Sequence, residues 1–137
     1  MTVIRASARA TRRGAAANFT GEVWQDEVVV GTAPSRLRAT VVSFAPGART
    51  HWHAHPVGQV LYCLSGVGRI CIGEGSQPQT IHPGDTVMIP PNAMHWHGAA
   101  PDRLFAHLAM SELGEAGQGT QWGEPVSDTD YRRAVAV

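Results

Sequence analysis

Apolar residues in this chain come in short runs that alternate with polar ones, and Gly or Pro interrupts them at close intervals. Alternation over such short runs marks half-buried strands, because the apolar face of a helix would recur every third or fourth residue instead. The pattern predicts strands at about Glu27 to Val30, Arg36 to Phe44, His51 to His55, Gln59 to Leu64, Arg69 to Ile72, Thr86 to Ile89, His95 to His97 and Leu104 to Met110. The segments APGA, HPVG, HPGD and PPNA carry turn chemistry between them, and SGVGR reads as a tight hairpin. From Ser111 onward strand character fades, and SDTDYRRAV reads as a short C-terminal helical segment capped by Ser127. Short antiparallel strands in so small a domain predict an all-β sandwich, jelly roll or closed barrel. Residues 1–20 are expected to form an N-terminal arm, partly disordered or swapped onto a partner sheet. Residues 21–115 would form the barrel and 116–137 a tail.

Composition narrows the function classes. A chain of 137 residues, 43% of them hydrophobic, is one domain with a sizeable core. It has no apolar run long enough to form a membrane span. The N-terminal MTVIRASARATRRGAAANF lacks the apolar core of a secretory leader, so a cytoplasmic location is expected. Basic and acidic residues balance at 11 each, which gives no electrostatic footprint for nucleic acid. Arg5, Arg9, Arg12 and Arg13 read as a solvated arm. Every basic residue is arginine, so a lysine Schiff base is excluded, and pyridoxal phosphate attachment with it. Cys63 and Cys71 flank SGVGR and read as reduced, buried packing residues that face each other across the hairpin. Trp52, Trp96, Met88, Met94 and Met110 are read as packing residues.

The chemistry lies in the histidines. In THWHAHPVGQV, His51, His53 and His55 occupy alternate positions, and a turn then leads to Gln59. MHWHG repeats the arrangement with His95 and His97, and His107 sits in the alternating FAHLAM. Alternate residues of a strand share a face. Imidazoles packed together without a cation lose hydration and repel one another when protonated. A divalent metal accounts for the clustering, since neutral imidazole is a common metal ligand. His51 stands about 7 Å from His53 along a strand, too far to share one ion, and reads as pocket lining or a proton carrier.

GARTHWHAHPVGQVLYCLSG and GDTVMIPPNAMHWHG resemble the two motifs of the cupins. The chain is most similar to the small bacterial manganese-dependent hydroxynitrile lyases, through the GART, HPGD, HWHGA and FAHLAM segments and the tail QWGEPVSDTDYRR. The resemblance implies a jelly-roll barrel, most often dimeric, and a metal held by His53, His55, Gln59 and His95. Gln59 stands where most cupins carry glutamate. Manganese is the ion the resemblance suggests, iron next, while the ligand types also accept zinc, nickel or cobalt. His107, then His97, are the candidate proton acceptors, and Thr40, Val42 and Ser111 border the pocket. The expected activity is cleavage or formation of cyanohydrins. The alternatives are an oxygen-using cupin acting on an enol or catechol-like molecule, or a non-catalytic metal-containing binding protein.

Overall fold

The computed structural model describes residues 1–137 and shows an all-β jelly-roll barrel of two facing antiparallel sheets. In chain order its strands are β1 Thr11–Arg13, β2 Phe19–Thr20, β3 Val23–Val30, β4 Leu37–Phe44, β5 Arg49–Thr50, β6 His53–Ala54 and β7 Gln59–Gly66. β8 Gly68–Ile72, β9 Gln79–Ile81, β10 Thr86–Ile89, β11 His95–Ala99, β12 Phe105–Glu112 and β13 Gln121–Trp122 follow, with a closing helix α1 at Asp128–Tyr131. One sheet runs β1-β3-β4-β12-β7-β10. The other runs β13-β6-β11-β5-β2, with β8 on the opposite edge of β11 and β9 beyond it. No helix is long and apolar enough to cross a membrane.

The core follows from the alternation. Val42 and Phe44 of β4, Leu61 and Cys63 of β7, Ile70 of β8 and Phe105 of β12 all point inward and join one buried cluster. Their neighbours Tyr62 and Leu64 alternate outward and are exposed. At one end of the interior this apolar packing gives way to histidines.

Four expectations from the sequence change. SGVGR is not a hairpin: β7 pairs with β12 and β10, whereas β8 pairs with β11 and β9. The chain crosses from one sheet to the other at Gly66, where φ is 76° and a side chain would run into the Leu104 carbonyl. Cys63 and Cys71 consequently lie in different clusters, both buried and unpaired. The arm at residues 1–20 is partly built into the barrel, because β1 pairs with the chain's own β3 and Phe19 is buried against Phe44. Met88 and Met94 are exposed rather than core residues: Met88 lies on β10, a sheet edge, and Met94 in the loop before β11.

The tail also packs. Ser127 caps α1 by accepting a hydrogen bond from the Asp130 backbone at 3.1 Å. Tyr131 is buried with Trp52, Cys71, Trp96 and Val126 in a second cluster, and its hydroxyl donates to the Ala99 carbonyl at 2.6 Å. Arg49 clamps this segment from below, donating to the Val126 carbonyl and to Asp128, both at 2.9 Å. Trp52 and Trp96 thus hold the tail against the outer face of the histidine strands.

Candidate metal centre

A bend at Trp52 separates β5 from β6, and His53 lies directly opposite His95 on β11. Opposed residues bring their side chains together, and the two ring centres are 4.1 Å apart. His97 leaves the same face of β11 two residues later, its ring 5.1 Å from that of His53. One ring nitrogen from each of His53, His95 and His97 lies within 4.8 Å of the other two. His55 flanks this triplet, 5.1 Å from His53 and 5.6 Å from His95 between ring centres. Gln59 opens β7 after the Pro56–Gly58 turn, with Oε1 3.2 Å from His95 Nε2. The tightest nitrogen triplet therefore contains His97, with His55 and Gln59 beside it.

Backbone carbonyls set the protonation of this cluster. His53 Nδ1 is 2.9 Å from the His51 carbonyl, and His95 Nδ1 is 2.8 Å from that of Ala93. A carbonyl only accepts, so each Nδ1 carries hydrogen and donates, which leaves each Nε2 as a lone pair. The Nε2 atoms of His55 and His97 are buried without a hydrogen-bond partner. Buried polar atoms are normally satisfied, and a cation would engage the His55 nitrogen together with those of His53 and His95, leaving His97 Nε2 for a bound ligand. Imidazole nitrogens and an amide oxygen, with neither thiolate nor carboxylate, form the donor set of a divalent first-row metal. The residues present fit such an ion.

Burial keeps these rings neutral. Dehydration, then the neighbouring His95, holds His53 well below the usual histidine range. Burial followed by His107 does the same for His97, and burial lowers His95 against its hydrogen bond to Ala93. His55 is lowered to about 4 by burial and then by His95.

His107 arrives from the opposite sheet. Regular alternation on β12 turns its ring inward two residues after Phe105, while the register of β12 with β7 slips by one residue at Leu64. Its Nε2 lies 2.9 Å from His97 Nδ1, and Phe44 and Phe105 pack on it at 5.4 and 5.5 Å. Burial lowers His107 to about 4.

A cavity of about 250 Å³ opens onto this cluster. His53, His55 and His97 line one side, and Arg38, Thr40, Val42, Gln59 and Ser111 of the other sheet line the facing side. Thr40, Val42 and Ser111 were expected there. His51 is buried outside the lining, because the bend at Trp52 breaks the alternation. Thr50 lines the cavity instead and accepts a hydrogen bond from the His97 backbone at 3.2 Å. His107 stands behind His97 and does not line the cavity, which reverses the order of contact expected from the sequence.

Several lining residues escaped the sequence reading. Thr120 Oγ1 is 3.3 Å from His55 Nδ1, and Trp122 stacks on His53 with ring centres 4.8 Å apart. Phe19 meets Trp122 edge-on at 5.7 Å. The alternate spacing of Thr120 and Trp122 was the available signal, and Arg38 shares the spacing of Thr40 and Val42 on β4.

A two-sheet barrel that gathers histidines from HxH segments at one end of its interior defines the cupin class. The chain belongs to this family, and the family described as Cupin domain matches residues 40–108. It is 41% identical over 133 residues to an (R)-mandelonitrile lyase of Granulicella tundricola, covering 97% of this chain and 100% of that protein. A cupin-like protein of Thermotoga maritima superposes with a TM-score of 0.83 at 38% identity, over 90% of this chain and 92% of that one. The polyketide cyclase RemF of Streptomyces resistomycificus shares the fold alone, with a TM-score of 0.69 at 16% identity over 96% and 90% of the two chains.

Proposed function

We propose that this chain is a metal-dependent lyase that cleaves cyanohydrins such as mandelonitrile to an aldehyde and HCN, and forms them in reverse. The observation that carries the reading is the His97–His107 pair, 2.9 Å apart and buried directly beside a cluster of neutral imidazoles. The likeness to a mandelonitrile lyase over nearly the whole chain supports it.

His53, His55, Gln59 and His95 would hold the ion, with His97 at its edge. Manganese is the first expectation and iron the second. When bound, the divalent ion supplies Lewis acidity toward a substrate oxygen, and three imidazoles with an amide leave its charge uncancelled. The chain's own groups handle the proton. His97 lines the cavity, and its unpartnered Nε2 takes the hydroxyl proton as the C–CN bond breaks. The electron pair of that bond leaves on cyanide, and the hydroxyl carbon becomes the carbonyl. His107 orients His97 through Nδ1 and shares the positive charge that results. The proton then passes to cyanide, which leaves as HCN. Thr50 fixes the backbone of His97, and Trp122 shields the His53 face from water.

The test is incubation of the manganese- or iron-loaded protein with mandelonitrile under nitrogen. Benzaldehyde release without oxygen supports the lyase. Turnover of an enol or catechol with oxygen uptake, and none of mandelonitrile, would move the chain to the oxygen-using cupins.

A further inference from the structure

The cavity holds no carboxylate, and its single charged lining residue is Arg38. Arg38 forms no ion pair, since the chain's ion pairs are Arg49–Asp128, His82–Asp85 and Arg133–Asp130. The register explains its position. Arg38 on β4 lies directly opposite Ser111 on β12, and Ser111 lies directly opposite Gln59 on β7. The three residues form one row across adjacent strands, and all three line the cavity. Two strand spacings put the Cα atoms of Arg38 and Gln59 roughly 10 Å apart. A guanidinium extending over Ser111 narrows that gap to the size of a short ligand. The apolar part of the cavity wall is formed by Phe19, Val42, Ala109 and Trp122.

We infer that Arg38 and Ser111 form an anion subsite facing the histidine cluster, and that the site accepts 2-hydroxy carboxylates bearing an aryl or branched alkyl group. The inference rests on the reading of the histidine cluster as a metal-dependent active site. The carboxylate lies on the Arg38 fork, a planar donor pair matched to two carboxylate oxygens. Ser111 adds a hydroxyl donor, the 2-hydroxyl faces the histidines, and the apolar group lies against Phe19, Val42 and Trp122. In a cyanohydrin, the nitrile occupies the place of the carboxylate. The subsite would therefore also face the departing cyanide, the one anion that cleavage produces.

Calorimetric titration of manganese-loaded protein with mandelate, and with mandelamide as its neutral counterpart, tests this. Wild type should bind mandelate the more tightly, with an affinity that falls as salt rises. Arg38→Gln should weaken mandelate by ~10- to 100-fold, the loss of a charge-assisted hydrogen-bonded pair. Mandelamide should change by less than about twofold on the same scale. Arg38→Lys should recover part of the mandelate affinity, because it restores charge without the fork. Metal content and melting temperature confirm that each variant is intact. Equal loss of both ligands, or mandelate binding insensitive to Arg38, overturns the subsite. Benzaldehyde release from mandelonitrile is followed on the same wild-type preparation. Arg38-dependent mandelate binding without benzaldehyde overturns the lyase reading alone. Benzaldehyde with Arg38-independent binding overturns the subsite alone.

Discussion

His97 Nδ1 on one sheet and His107 Nε2 on the other lie 2.9 Å apart, so a hydrogen bond between them ties the two sheets together at the candidate site. Two neutral imidazoles hold two protons. One bridges the pair, and the other sits on His97 Nε2 or His107 Nδ1, neither of which has another partner. With that proton on His107, His97 presents a lone pair to the cavity. The pair holds one mobile proton, which the proposed mechanism uses at its His97 end.

His107→Ala should keep the metal and lose rate. His107 lies behind His97 and touches none of the groups proposed to bind the ion, so metal stoichiometry by elemental analysis should stay at wild type. The rate constant for mandelonitrile cleavage should fall by ~10²- to 10⁴-fold, the usual value of a positioned acid–base group. Loss of metal together with rate would make His107 a structural support of the site.

Gln59→Glu should hold the metal more tightly and turn over more slowly. A carboxylate cancels part of the ion's charge, so removal by a chelator slows while Lewis acidity toward the substrate drops. His53→Ala should lose both metal and activity, because its ring is central to the nitrogen triplet. Metal release kinetics against a colorimetric chelator check both variants.

Metal-free protein should lose stability as pH falls. His55 and His107 each titrate at about 4 in the fold, against 6.5 for a free histidine. Between these values the unfolded chain binds more protons than the folded one, so stability rises with pH across the window. The contribution is fully present above about 6.5, declines as pH falls, and is gone below about 4. Each ring accounts for on the order of 3 kcal/mol at most. Melting curves of chelator-treated protein should therefore shift steeply downward between pH 7 and pH 4.5. A flat profile would mean that these rings are hydrated in solution.

Gly66→Ala should destabilise the barrel with little direct effect on the site. The residue sits at φ 76°, and an added Cβ would meet the Leu104 carbonyl where the chain changes sheets. Left-handed strain and backbone displacement together cost a few kcal/mol, roughly 2 or more. Urea denaturation of metal-loaded wild type and variant measures the difference.

The sequence by itself determined the all-β class, the inward face of each long strand and the inventory of metal-capable groups. Those features depend on local alternation and side-chain chemistry, and β4, β7, β10 and β12 were legible for that reason. Ser127 as a helix cap and Asn92 at a turn, where φ is 60°, were equally local. Sheet membership was not. Whether Gly66 closes a hairpin or carries the chain to the other sheet depends on strands far away in sequence, and both readings fit SGVGR. The two-residue strands β2 and β13 are too short to show alternation and exist because β5 and β6 pair with them. The bend at Trp52, which gives the cavity Thr50 in place of His51, is likewise a product of packing against β11 and the tail. Only the tertiary structure decided that His97 and His107 meet across the barrel, and that Arg38, Ser111 and Gln59 share a row. Both relationships depend on interstrand register, and register is fixed by which faces the closed barrel buries.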